Sequence, residues 1–137
     1  ISRAVGDENI YLFGMKADQV ANMYREGSYA PIQYFEQNVE IRKALTQMID
    51  GTLFPDNPAM LQLLYHDLLF GSGGSRPDNY FILKDFGSYA AAQSRVSCDS
   101  LDRSLWLYKA ITNTAMSGPF STDRTIAEYN ERIWKLK

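Results

Sequence analysis

One cysteine and one histidine occur in 137 residues. Cys98 has no second thiol for an internal disulfide, and His66 has too few companions to nucleate a His/Cys metal site. No sign of charge dominates: fourteen Lys and Arg face sixteen Asp and Glu, for a formal net charge of −2. That balance leaves no basic footprint for nucleic acid or anionic lipid, so neither partner is expected. Long apolar runs are also missing. None approaches the ~20 residues of a membrane helix, and the longest clusters are broken by Gln62, His66 and Asp67. The opening ISRAVGDENI carries no apolar run after Arg3 and does not read as a signal peptide. It begins at Ile1 rather than Met, which suggests a piece of something longer. What is present is ordinary for one globular core: 45% hydrophobic and 22% charged residues, too apolar and too weakly charged for disorder.

Patterning predicts helices with two short strands. Ile10–Phe13 is a continuous β-favouring apolar run closed by Gly14, and Tyr80–Leu83 is a second. Two such strands cannot make an independent sheet, which points to absent partners. Ala17–Glu26 carries Val20, Met23 and Tyr24 on one face, with Gly27 as its stop. Pro31 suits a first helical turn running through Tyr34 and Phe35. Asn38 can cap a helix to Asp50 with Ile41, Leu45, Met48 and Ile49 inward. Asn57-Pro58 opens another, whose apolar side holds Met60, Leu61, Leu64, Leu68 and Leu69. Asp85 or Ser88 is expected to cap a helix through Val96, and Asp99 or Ser100 one reaching about Met116. Ser121 or Thr122 starts the last, with Ile126, Tyr129, Ile133 and Trp134 on its apolar side. Glu128–Arg132 and Glu131–Lys135 are spaced for i,i+4 ion pairs.

Candidate chemical motifs read as structure. Gly71–Ser75 invites a phosphate-loop reading, but such a loop runs from strand to helix. This one runs from helix to expected strand, and Arg76 stands where a G-x-G-x-x-G pattern needs its third glycine. His66 lacks a facing partner, since Tyr65 and Asp67 are adjacent positions on a helix. Cys98 sits beside Asp99, a setting that disfavours the thiolate. Asp123 and Glu128 fit helix-end charge and surface pairing, while Asp85 and Asp99 fit caps. None of the lysines (Lys16, Lys43, Lys84, Lys109, Lys135, Lys137) has the desolvated or cationic setting a Schiff-base lysine needs. The eighteen aromatics lie at helical spacing, and spacing alone cannot separate a sugar-stacking platform from core. No catalytic, cofactor-binding or metal-binding residue is assigned.

Four blocks carry a resemblance. FSTDRTIAEYNERIW (120–134) resembles the C-terminal signature of the glycogen and α-glucan phosphorylases. YLFGMKADQV (11–20), DGTLFPDNPAML (50–61) and KDFGSYAAAQSRV (84–96) are similar to further blocks of that family, in family order and spacing. Three departures stand out: a longer loop around Gly71–Asn79, Pro119 where a basic residue is common, and Ser94 in place of a usual acid.

The resemblance implies a two-domain glycosyltransferase with facing Rossmann-like halves and pyridoxal phosphate. In the family, phosphate attacks the non-reducing end of an α-1,4-glucan and releases glucose 1-phosphate. The cofactor lysine and the groups holding phosphate and glucose would lie upstream of Ile1, so no position here inherits a catalytic role and no cofactor is expected on this chain alone. Residues 1–137 would form a single piece, predominantly α with two short strands, at the tail of the C-terminal Rossmann-like (α/β, GT-B type) half. Ile126, Ile133 and Trp134 would then be partly interdomain. The implied compartment is cytoplasmic, the implied partner is the rest of the parent chain, and a homo-oligomer is expected. A rival reading is an independent helical protein-interaction module derived from the phosphorylase tail.

Overall fold

A computed structural model describes residues 1–136. Eight α-helices follow one another among them: α1 (Ser2–Val5), α2 (Ala17–Glu26), α3 (Pro31–Gln37), α4 (Val39–Gln47), α5 (Gln62–Leu69), α6 (Ile82–Asp99), α7 (Arg103–Ala115) and α8 (Thr122–Tyr129). Short 3₁₀ turns lie at Asp7–Asn9, Pro58–Leu61 and Gly118–Phe120, and a π turn at Asn130–Trp134 continues α8. The chain divides into two compact units, residues 13–91 and residues 1–12 with 92 onward.

The 13–91 unit is built around α3, α4 and α5. Pro31 occupies the first turn of α3, where its missing N–H costs nothing, and it is fully buried. Asn38 caps α4, its Oδ1 accepting from the amides of Glu40 (2.9 Å) and Ile41 (3.0 Å). That cap turns Ile41 and Leu45 inward, where they pack with Leu69 and Leu83 under Ile32, Phe35, Tyr65 and Phe86. The helix ends at Gln47, short of the expected Asp50, and residues 48–50 finish as a turn.

In the other unit, Asp102 caps α7 in place of the expected Asp99 or Ser100, accepting from Ser104 and Leu105 amides at 3.0 Å each. Ser121 caps α8 through Arg124 N–H. Glu128 pairs with Arg124 at 2.6 Å and, more loosely, with Arg132 at 3.8 Å. Among the described residues Glu131 and Lys135 form no ion pair, because Lys135 leaves the helix in the left-handed region (φ 53°). Val5 and Asn9 are buried, and Asn9 Nδ2 donates to Val5 O at 2.8 Å. The apolar residues expected on the last helix, Ile126, Tyr129, Ile133 and Trp134, all stand well exposed.

Both expected strands are corrected. No β-strand forms among the described residues. Ile10 is extended (φ −141°, ψ 147°), but a lone extended segment has no ladder, and Leu12 C=O is instead satisfied by Arg95 at 3.3 Å. Tyr80–Leu83 fails for a different reason. Phe81 takes φ 56°, and Ile82 and Leu83 already form the first turn of α6. The Rossmann-like, GT-B assignment falls with the strands: such a half requires a parallel sheet, and among the described residues helices and turns are the only regular elements.

Candidate functional site

Two clusters bring ionisable side chains together. In the first, Asp78 is 4% exposed. Its carboxylate accepts from Ile82 N–H (2.9 Å), Leu83 N–H (2.8 Å) and the Tyr29 hydroxyl (2.5 Å). Burial and then the Asp78 bond push the Tyr29 hydroxyl pKa far above its ordinary value, so Tyr29 remains a donor. Around the pair, Tyr24 and Tyr29 pack their rings against Phe81 at 4.8 and 4.9 Å. The Arg76 guanidinium lies 5.9 Å over Tyr24, and the Tyr24 hydroxyl donates to Asn79 O.

The second cluster joins Tyr11, Asp99 and Lys109. One Asp99 oxygen accepts from Lys109 Nζ and from the Tyr11 hydroxyl, each at 2.7 Å. Lys109 also donates to Glu8 O at 2.6 Å and sits 4.8 Å over the Tyr11 ring. The Lys109 bond, then that of Tyr11, holds the Asp99 carboxyl below the usual carboxylate range. The same bond to Asp99 raises Lys109, and burial followed by the Asp99 bond raises Tyr11. Each shift favours the protonation state already present near neutrality. The cluster is an ion pair with a phenol attached, tying residues 8–11 to α6 and α7.

Apart from Asp99 and Lys109, the sequence-weighed candidates stay apart. His66 is exposed in α5 with its ring 5.2 Å from Phe70. Cys98 is exposed near the end of α6. Asp123 and Glu128 lie on α8. Asp85 and Ser88 are not caps. They lie inside α6 and hold the chain before α2, Asp85 Oδ1 accepting from Met15 N–H (3.0 Å) and Ser88 Oγ from Gly14 N–H (2.9 Å). The Gly71–Ser75 segment joins helix to helix, and the amides at the start of α6 are already occupied by Asp78, which fills the place a bound phosphate would take. Among the described residues no group of three His, Cys, Asp or Glu could hold a metal.

A Schiff-base cofactor such as pyridoxal phosphate needs a lysine that is easily deprotonated. Lys16, Lys43, Lys84 and Lys135 are exposed. Lys109 is shielded but locked as an ammonium by Asp99. Lys137 lies outside the described residues. The described lysines do not fit that group.

The model of one protein family, carbohydrate phosphorylase, matches residues 1–136. The chain belongs to the carbohydrate phosphorylase family. It is 39% identical over 137 residues to the glycogen phosphorylase of Bacillus subtilis (strain 168), covering all of this chain and 16% of that protein. To the maltodextrin phosphorylase of Streptococcus pneumoniae serotype 4 it is 35% identical over 138 residues, covering 99% of this chain and 17% of the relative. The human liver glycogen phosphorylase is 29% identical across the whole chain, which matches 15% of it. This phosphorylase segment therefore spans about one-sixth of the length of the curated relatives it matches.

The four family-like blocks fall on distinct parts of the fold. Residues 11–20 lead into α2, residues 50–61 form the turn up to the 3₁₀ segment, residues 84–96 lie within α6, and residues 120–134 are α8 with its flanks. Sequence reasoning missed the Asp78 and Asp99 clusters. Asp78 had a local signal, a Pro-Asp pair just ahead of an apolar run, but the pair reads as the end of the loop before the expected strand. Tyr11 and Asp99 are 88 positions apart, and no spacing rule links them.

Proposed function

We propose that this segment serves as structural framework within a longer, pyridoxal-phosphate-dependent α-glucan phosphorylase. In the proposed reaction a phosphate oxygen replaces the glycosidic oxygen at the terminal anomeric carbon of an α-1,4-glucan. The departing sugar oxygen takes a proton and glucose 1-phosphate is released. Pyridoxal phosphate supplies acid–base chemistry from elsewhere in the polypeptide, and no residue of this segment touches it. The segment's partner is the remainder of its own polypeptide, its compartment the cytoplasm, and its exposed apolar residues favour homo-oligomers when it stands alone.

One observation carries the reading. The chain matches phosphorylases from end to end, yet its titratable side chains are either committed to structural bonds or scattered singly over the surface. The test is glucose 1-phosphate production from maltodextrin and inorganic phosphate. The complete polypeptide loaded with pyridoxal phosphate is expected to produce it and the 137-residue chain is not. Phosphorolysis by the pure 137-residue chain, or none by the complete polypeptide, overturns the proposal.

A further inference from the structure

α2 is ten residues long, short of the roughly 12–15 that a helix needs to persist in water by itself. Its support comes from one distant stretch, residues 78–88. Ahead of the helix, Gly14 N–H donates to Ser88 Oγ at 2.9 Å and Met15 N–H to Asp85 Oδ1 at 3.0 Å. Near its other end the Tyr24 ring meets Phe81 edge-on at 4.8 Å, and the Tyr24 hydroxyl donates to Asn79 O. Just past the helix, Tyr29 donates to Asp78 at 2.5 Å. α2 is thus clamped at both ends, by groups on the start of α6 and in the residues just before it.

The core does not depend on that attachment. Ile41, Leu45, Leu69 and Leu83 form it, and the apolar side chains packed around them come from α3, α5, α6 and the turn after α4, with none from α2. Leu83 seats the first turn of α6 in this core, so the platform that carries both clamps is fixed without α2. Releasing Tyr29 leaves Asp78 with the amides of Ile82 (2.9 Å) and Leu83 (2.8 Å), and the start of α6 stays capped. Downstream, the chain is anchored again at Pro31, which is fully buried. The two clamps, by contrast, need each other. Hydrogen bonds of modest net worth hold each end, and a helix this short does not survive with one end free. Segments held in this way open well below the free energy of global unfolding.

We propose that residues 14–29 form a strap that lifts from the start of α6 as one unit while the core of α3, α4 and α5 stays folded. A contact elsewhere in the complete polypeptide that favours the lifted position shifts the strap without unfolding its platform. The device works the same way whatever reaction the complete polypeptide performs.

Native-state hydrogen exchange on the complete polypeptide tests this. Two amides report the ends of the strap: Val20 N–H, bonded to Lys16 O, and Gly27 N–H, bonded to Met23 O. In the unsubstituted protein both are expected to exchange with one common opening constant, and the amides of α4 at least about tenfold more slowly. Asp85→Ala loosens the clamp ahead of α2, and Tyr29→Phe the one behind it. Each is expected to speed exchange at both ends of the strap by about fivefold, the factor that the net worth of one hydrogen bond corresponds to. Ser88→Ala, which removes the acceptor for Gly14 N–H, is a milder probe of the first clamp and is expected to act in the same direction at both ends. Exchange in α4 as fast as in α2 overturns the proposal, because strap and core then open together. Acceleration confined to the end nearest each substitution, or none at either end, overturns it as well.

Discussion

Asp78 shows how a single buried carboxylate can organise its surroundings. Three donors converge on it, two from the first turn of α6 and one from Tyr29. Removing one partner of a buried bond leaves the others unpaired, which costs more than the bond's net worth. Asp78→Ala strands two amides and a phenol, so a loss of about 1–3 kcal/mol is expected. Tyr29→Phe removes a donor while Asp78 keeps two, and the loss should be nearer 1 kcal/mol. Urea unfolding of the 137-residue chain measures both. A midpoint for Asp78→Ala equal to that of the parent contradicts the assignment. Asp99 differs because one of its two partners is a cation, Lys109, and the ion pair keeps some contact with water. It acts as a local tie between Tyr11 and Lys109, and screening limits what the pair contributes.

At the scale of elements, the caps of α4 and α8 were legible in the sequence, and the cap of α7 and the start of α6 were not. Asn38 and Ser121 stand where their helices begin, because an N-cap side chain bonds amides only two or three residues ahead. α2 likewise runs Ala17–Glu26 as its pattern predicts. The two strand readings failed on one ambiguity: a short continuous apolar run fits a buried strand and a buried helix start equally. Phe81 resolves it at one site by turning left-handed, with its ring buried among Tyr24 and Tyr29. At the other, Ile10 is extended but residues 10–13 pair with no strand among the described residues. The link from α6 to the chain before α2 depends on Gly14, which has φ 81° and would place a Cβ 2.7 Å from Asp85 Oδ2. Gly14→Ala is therefore expected to cost about 1–3 kcal/mol. Calorimetry should show a lower melting temperature, and an unchanged one would mean that the Asp85 and Ser88 contacts do not fix this turn.

For the whole molecule, the main question is what the surface is built to meet. Leu63, Leu101, Tyr108, Ile111, Ile133 and Leu136 are each more than 60% exposed, beyond the scattering of single apolar residues normal for a monomer. The 137-residue chain is expected to self-associate with rising concentration. Sedimentation velocity checks this, and a single monomeric boundary at high concentration would contradict it. Helical periodicity does not announce such exposure, because it identifies an apolar face without saying what covers it; only for Ile133 did the family resemblance imply incomplete local burial. The candidate site was legible only in the negative: apart from Asp99 and Lys109, which bond each other, the residues weighed for chemistry stay apart.

The loop from Gly71 to Pro77 is closed upon itself. Ser75 N–H bonds Ser72 O at 2.8 Å, and at Gly71 there is no room for a side chain, since a Cβ would lie 2.4 Å from Ser75 O. Downstream, Asp78 fixes where α6 begins, independently of the residues before it. The loop thus behaves as a blister between two anchored points. Residues can be gained or lost there without shifting the register of α6, giving the lineage a place to change length and surface chemistry while the helices stay as they were.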